Sequence, residues 1–180
     1  MLDRLAELFP PALIDLFVTS FWETLVMVGI SGVVAALIGI PLGVLLRLTD
    51  RGGVLESLAF NRIAGLLVNA VRSTPFIILL VAIIPFTRMI TGSSIGTAAA
   101  VVPLTIAAAP FIARLVETSL REVDAGLIEA AQAMGATTPQ IVFKVLLPEA
   151  VPGIVAGLTI TLVSLTGYSA MAGAIGGGGL

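Results

Sequence analysis

TLVMVGISGVVAALIGIPLGVLL, residues 24–46, is an uncharged and almost wholly apolar run bounded by Glu23 and Arg47. A helix needs about 20 such residues to cross the hydrocarbon core of a bilayer. The composition of the whole chain agrees, with 58% hydrophobic residues, 11% charged residues and a mean hydropathy of +1.14. The run is continuously apolar, whereas the strands of a transmembrane barrel alternate. Because a helix satisfies its own backbone hydrogen bonds in lipid, the sequence predicts an all-α membrane protein.

Three further apolar stretches follow, and together they predict one transmembrane domain over residues 1–180, a helical bundle with four spans. The spans are expected at about 20–46, 63–87, 95–114 and 151–172, with a long polar loop at about 115–149. Arg and Lys concentrate in the loops after the first and third spans, and such loops usually stay in the cytoplasm. We therefore expect a multi-pass protein of the inner membrane, with its N-terminus outside and its long loop in the cytoplasm. The segment LAELFPPALIDLF, residues 5–17, is either an amphipathic segment on the outer surface or a loosely ordered tail.

Glycine pairs four residues apart occur in and beside the predicted spans: Gly39–Gly43, Gly153–Gly157 and Gly173–Gly177. Small residues at this spacing allow two helix backbones to approach closely in a membrane. The pairs predict close helix packing without naming the partner helix.

The composition excludes several classes of function. The chain has no Cys and no His, which removes thiolate metal sites, disulfides and imidazole bases. A net charge of −2 and the lack of a basic stripe argue against nucleic acid. The only lysine, Lys144, follows Phe143, so no phosphate-binding Gly-Lys-Ser/Thr loop is present. We predict no catalytic residue, no metal and no cofactor, and membrane lipid as one partner.

The polar loop itself predicts a helix, a turn and a second helix. Asp124 can cap the first helix, and Gly135 falls where a left-handed C-terminal cap is expected. Thr138 can cap the second helix, while Thr137 with Gln140 offers a capping box one residue earlier. Periodicity alone leaves two interpretations open, an amphipathic hairpin on the lipid headgroups and a docking element for a soluble partner.

The stretch EAAQAMGATTPQIVFKVLLPEA, residues 129–150, resembles the EAA loop of ABC-importer permeases. That pattern is Glu-Ala-Ala, three residues, Gly, nine residues, and Ile-any-Leu-Pro. Val145 replaces the Ile, and the matching residues, which the resemblance implies couple the chain to an ATPase, are Glu129, Ala130, Ala131, Gly135, Leu147 and Pro148.

RSTPFIILL, residues 72–80, and TLVSLTGYSAMAGAIGGGGL, residues 161–180, resemble methionine-import permeases in particular. The resemblance implies a homodimeric permease subunit that moves D- or L-methionine, or a similar amino acid, across the inner membrane. It also implies cytoplasmic ABC ATPase subunits, which hydrolyse the ATP, and an extracytoplasmic substrate-binding protein. Permeases of this family usually continue into a fifth helix, and we expect a truncated chain because residue 180 precedes it.

Five residues are candidates for the translocation pathway: Arg72, Pro75, Tyr168, Ser169 and Met171. A charge inside a span is functional by default, and Pro75 is expected to kink the helix. Alternatively the span begins near Ser73, and Arg72 reaches the headgroups. Tyr168 fits either the interfacial aromatic belt or a pathway role that the GYSAM resemblance implies.

Three other functions remain open at this stage: a permease for another small solute, an ATPase-independent secondary transporter, and a scaffold protein that transports nothing. Secondary transporters usually carry carboxylates or broken helices at the bilayer centre. Apart from Glu23 at the outer end of the first span, no Asp or Glu falls inside the four predicted spans, which argues against this class.

Overall fold

The computed structural model describes residues 10–180, and every regular element in that range is helical. In chain order the helices are α1 (Pro11–Thr49), α2 (Leu58–Ser73), α3 (Phe76–Ala82), α4 (Ile84–Thr91), α5 (Thr97–Arg121), α6 (Ala125–Ala133), α7 (Thr138–Ile141) and α8 (Leu147–Ala172). Two π-helical turns, Val142–Leu146 and Gly173–Gly177, lie directly before and after α8. Three helical stretches of the described chain are long and apolar enough to span a membrane, and there are four if the bent pair of α2 and α3 is one span. The predicted all-α membrane class is confirmed.

The first span is longer than expected. α1 runs for 39 residues, which at about 1.5 Å per residue gives roughly 58 Å, about twice the thickness of a hydrocarbon core. Pro10 and Pro11 begin it, where a missing backbone N–H is tolerated. Of the N-terminal segment 5–17, residues 11–17 are therefore the first turns of the spanning helix, and residues 5–9 lie outside the described range.

α1 packs against α5 through a seam of glycines. A Cβ on Gly39 would lie 2.7 Å from the carbonyl oxygen of Ala109, and one on Gly43 would lie 2.5 Å from that of Ala113. Both distances are shorter than any real carbon–oxygen contact, so only glycine fits at either position. The close packing predicted from this pair is confirmed, and its partner is α5.

The second glycine pair packs α8 against the same central helix. A Cβ on Gly153 would lie 2.6 Å from the Ser119 Oγ, and one on Gly157 would lie 2.9 Å from the Leu115 Cβ. α5 therefore contacts a glycine-bearing helix on each of two faces, and a larger share of its most apolar stretch is buried than in α1 or in the helical stretch that contains α8.

The second predicted span, 63–87, differs from the continuous helix we expected. α2 ends at Ser73, and α3 begins at Phe76 with a bend of 105° between them. Thr74 adopts extended dihedrals (ψ 125°), because the ring of Pro75 disfavours a helical residue before it. α3 has only seven residues, and Pro85 lies in the first turn of the next helix. The kink predicted at Pro75 is present, but it interrupts the helix.

The last span also differs from the prediction. The second helix of the polar loop and the fourth span, expected as separate elements, form one helical stretch from Thr138 to Gly177. The π-helical turn joins them, and in it the Leu147 N–H donates to the carbonyl of Val142, five residues back. Pro148 follows immediately and has no amide to donate, so a local change of helical register there is expected.

Candidate coupling element and translocation pathway

The polar loop folds into a short helix that is capped at both ends. At the start of α6, the Asp124 Oδ1 accepts a hydrogen bond of 2.6 Å from the Gly126 N–H. At its end Gly135 has φ +77°, and its N–H donates to the Gln132 carbonyl at 2.9 Å. Both predicted caps are therefore present, and they give α6 defined ends.

The turn after Gly135 settles the choice between two capping residues. Thr137 is the N-cap of α7, and its N–H donates to the Gln140 Oε1 at 2.8 Å. Pro139 then lies in the first turn, where no N–H is required. The capping box at Thr137 is present in place of a cap at Thr138. α6 is thus connected to α8 through α7 and the π-helical turn.

The residues matched to the EAA pattern divide into an exposed group and a packed group. Three of them are exposed: Glu129, Ala130 and Gly135. Ala131 is buried beside Ile128 and fastens α6 to the bundle. Leu147 packs partly against the core, and Pro148 is exposed at the start of α8. The coupling role of all six residues stays a prediction.

Sequence reasoning missed an apolar patch on the exposed side of this element. Met134 is 82% exposed and Leu127 is 45% exposed. Their spacing of seven residues puts them on the same side of a helix, which was the available signal. Two large apolar side chains exposed on one side of this short helix, outside the predicted spans, indicate a contact surface.

The break between α2 and α3 lies beside α5. Arg72 is in the last turn of α2, is exposed, and has its guanidinium carbon 5.6 Å from the centre of the Phe111 ring. That distance is within the range of a cation–π contact. Arg72 is thus at the end of a helix and not in the middle of a straight span, and Pro75 caps α3 just beyond the break.

Aromatic stacking joins the break to α8. The rings of Phe76 and Tyr168 are 4.7 Å apart at their centroids and nearly parallel, at 10°. Ser169 is buried, and its Oγ donates to the Thr166 carbonyl at 2.8 Å. Met171 is 47% exposed. Tyr168 therefore makes an internal packing contact, and Met171 is the more accessible of the predicted pathway residues on α8.

A buried carboxylate near the C-terminal end of α5 was not predicted. Glu117 is 1% exposed; it accepts from the Arg114 Nη1 at 2.6 Å and from the Arg121 Nη2 at 2.7 Å. The third span was expected to end at residue 114, but α5 continues to Arg121, so Glu117 lies within the helix. The spacings of three and four residues between the acid and the two bases were the signal for it.

Asp50 extends this cluster to the end of α1. The Arg121 Nη2 lies 2.8 Å from the Asp50 Oδ2. Burial by itself would raise the pKa of Asp50, but the Arg51 backbone N–H and the charge of Arg121 lower it below its ordinary value. Asp50 is therefore ionised at neutral pH and joins the first loop to the third.

The fold and the exposed, doubly capped helix define a class, the multi-pass membrane subunits of transport systems. The matching family is described as "Binding-protein-dependent transport system inner membrane component", over residues 39–180. The chain belongs to this family.

Curated relatives are similar over most of the chain. The chain is 60% identical over 166 residues to the "Probable D-methionine transport system permease protein MetI" of Vibrio cholerae, covering 92% of this chain and 74% of the relative. It is 58% identical over 158 residues to the "D-methionine transport system permease protein MetI" of Escherichia coli K12, covering 88% and 73%.

Solved structures agree with these relatives. A chain of the inward-facing MetNI methionine ABC transporter superposes with a TM-score of 0.93 at 56% identity, covering 94% of this chain and 78% of that one. An amino acid ABC transporter crystallised with histidines has a TM-score of 0.72 at 24% identity, which shows a shared fold alone.

Proposed function

We propose that this chain is the membrane-spanning permease subunit of an ABC importer for methionine, D- or L-, or a similar amino acid. The observation that carries the proposal is 58–60% identity to D-methionine permeases over about nine-tenths of the chain. The importer consists of two copies of this permease, cytoplasmic ATPase subunits and an extracytoplasmic substrate-binding protein. The permease itself performs no chemistry; it provides the path.

In the proposed mechanism α6 is the coupling helix. Ala130 and Gly135 are small exposed residues that allow α6 to enter a groove on the ATPase closely, Glu129 adds an exposed charge beside them, and Met134 supplies an apolar anchor. Caps at both ends allow α6 to move as a rigid body when the ATPase closes on ATP. Two residues of the chain separate α6 from residue 122, the C-cap of α5, so the motion reaches the central helix directly and gives alternating access.

The proposed orientation has α6 in the cytoplasm and the start of α1 outside. The contact between Arg121 and Asp50 supports one part of it, because it brings the first and third loops to the same end of the bundle. The chain has no Cys, so single cysteines at exposed Met134 and Ser93 report the two sides. An impermeant maleimide is expected to label Ser93→Cys in intact cells and Met134→Cys only after permeabilisation.

The proposed pathway follows the break between α2 and α3 and the facing part of α8. Met171 presents a polarisable thioether that suits a sulfur-containing ligand, and Arg72 supplies a positive charge near the break. Tyr168 positions the break through its stack on Phe76. Ser169 has its hydroxyl satisfied within the helix, and Pro75 sets the bend, so these two act through geometry.

The coupling proposal is tested at Gly135 in the reconstituted importer. A Cβ there meets no atom within 4 Å, so the obstacle to a substitution is the left-handed backbone dihedral. Left-handed dihedrals cost an L-residue roughly 1–2 kcal/mol, and Asn tolerates them far better than a β-branched residue. We expect Gly135→Val to reduce substrate-stimulated ATPase activity by about tenfold, which corresponds to 1.4 kcal/mol, and Gly135→Asn to keep most of it.

Uptake assays in proteoliposomes test the rest of the proposal. Labelled methionine is expected to accumulate only with ATP, the ATPase and the binding protein together. Uptake without the ATPase would establish a secondary transporter instead. Equal ATPase stimulation in Gly135→Val and the wild type, with both present in the membrane, would remove α6 from the coupling path.

A further inference from the structure

Glu117 is the centre of a charge cluster at the end of α5 that precedes the coupling helix. Its two carboxylate oxygens are used separately, Oε2 by Arg114 and Oε1 by Arg121. An ionised carboxylate this deeply buried is stable only when it is paired and hydrogen-bonded. The carboxylate therefore dictates where both guanidinium groups lie.

One arm of the cluster reaches α1. The same Arg121 Nη2 that contacts Glu117 lies 2.8 Å from the Asp50 Oδ2. Asp50 directly follows the last residue of α1. The arm is partly open to solvent, with 50% of the Arg121 side chain and 28% of the Asp50 side chain exposed. It connects residues separated by 71 positions in the sequence.

The other arm reaches α2. The Arg114 Nη2 donates to the Gly65 carbonyl at 3.0 Å, and its Nε donates to the Asn69 Oδ1 at 3.2 Å. Arg114 is better shielded than Arg121, with 22% of its side chain exposed. A Cβ on Gly65 would lie only 3.1 Å from the same Nη2, so α2 is held close to the arginine.

We infer that Glu117 is a positioning residue that makes the C-terminal ends of α1 and α5 and the middle of α2 move as one body with the coupling helix. The inference rests on the proposed function, and it adds the connection by which motion of α6 reaches helices other than its own neighbours. Within the cluster two arginines pair with one Asp and one Glu, and the charge of Arg47 also acts on Asp50. α2 leads directly to the break at Pro75, which places the pathway at the end of this connection.

The test is transport per ATP hydrolysed, measured in the reconstituted importer with its ATPase and binding protein. Glu117→Gln keeps the shape of the side chain and removes the charge that holds both arginines. ATPase activity is expected to persist, because the caps and surface of α6 do not involve Glu117. Methionine transported per ATP is expected to fall at least about threefold, which is typical of mutations along a coupling route.

Two matched variants separate this effect from the loss of any carboxylate. Glu122→Gln makes the same change five residues further along the chain at an exposed position, and it is expected to leave transport per ATP unchanged. Glu117→Asp keeps the charge, and it is expected to recover part of the transport per ATP that Glu117→Gln loses.

The separate arms keep the inference testable if Glu117→Gln does not reach the membrane. The double variant Asp50→Asn with Asn69→Ala leaves the buried pairs within α5 intact and removes one contact to each neighbouring helix. It is expected to lower transport per ATP by about twofold. A wild-type ratio in the double variant would overturn the inference.

An equal fall in transport and ATPase activity in Glu117→Gln, with the ratio preserved, would also overturn it, because that result describes a purely structural residue. Failure of the proposed function would be visible separately, since the wild-type complex would then accumulate no methionine.

Discussion

The two stretches of α5 hold their neighbours by opposite means. Along residues 109–116 the helix meets α1 at Gly39 and Gly43, where backbone touches backbone and no side chain fits. At residues 114–121 it reaches α1 and α2 through Glu117 and two arginines. We call the first region the glycine seam and the second the charge cluster.

The difference reflects what lipid can and cannot supply. Lipid tails are as apolar as the helices, so burial of apolar surface does not drive the helices together, and close van der Waals packing takes its place. The glycine seam supplies that packing, but it does little to specify how the two helices are aligned along their axes. The charge cluster is directional, because each guanidinium has fixed partners, and it specifies which ends of which helices meet.

The largest effect is expected in the glycine seam. Gly43→Leu would force a side chain against the Ala113 carbonyl oxygen and the Val116 side chain, and the first of these is backbone that cannot turn away. Overpacking typically costs about 1–3 kcal/mol and more where backbone must move. We expect little folded protein after detergent extraction, measured as monodisperse yield and thermal midpoint.

Gly29 provides the matched control for this substitution. It lies on the same helix, and a Cβ there meets nothing within 4 Å. Gly29→Leu is expected to leave yield and midpoint near those of the wild type. If the two variants behaved alike, the seam would contribute nothing that is specific to its close contacts.

An intermediate effect is expected where α3 meets α8. Tyr168→Ala removes the stack on Phe76, which is worth about 0.5–1.5 kcal/mol beyond the burial of area, and frees the short helix after the break. Methionine uptake is expected to fall several-fold, while Tyr168→Phe is expected to keep it. Equal uptake by all three proteins would mean that α3 is positioned by its other contacts.

The smallest effect is expected at the exposed arm of the charge cluster. Partly exposed ion pairs contribute roughly 0.2–1 kcal/mol, so Asp50→Asn should lower the thermal midpoint by only a few degrees or less at pH 7.

The lowered pKa of Asp50 determines how the stabilisation by the Asp50–Arg121 pair depends on pH. The contribution is present above the ordinary aspartate pKa of about 3.9 and is lost as the pH falls through the lower folded value. The difference between wild type and variant should be constant from pH 6 to about pH 8 and shrink as the pH falls below the ordinary aspartate value. A difference that grew on acidification would contradict the assigned pairing.

Local features were predictable because neighbouring residues determine them. Asp124 and Gly135 cap α6 as expected, since capping depends on side chains a few residues away. The kink at Pro75 was predictable for the same reason. The angle of 105° was not, because it depends on what α3 packs against. The joining of α7 to α8 was missed because a proline usually interrupts a helix. Here a π-helical turn carries the helix up to Pro148, in the first turn of α8, and Pro152 is tolerated inside α8.

The sequence by itself determined that the chain is helical, that it lies in a membrane, and that its polar loop matches the EAA pattern. These follow from apolar length, capping and residue spacing, which are local properties. Only the tertiary structure decided that the glycine pairs of α1 and α8 meet two different faces of α5, that Phe76 stacks on Tyr168, and that Glu117 is buried between two arginines. The reason is that a helix apolar on every side carries no amphipathic signal, so which face meets which neighbour is settled only when the helices pack.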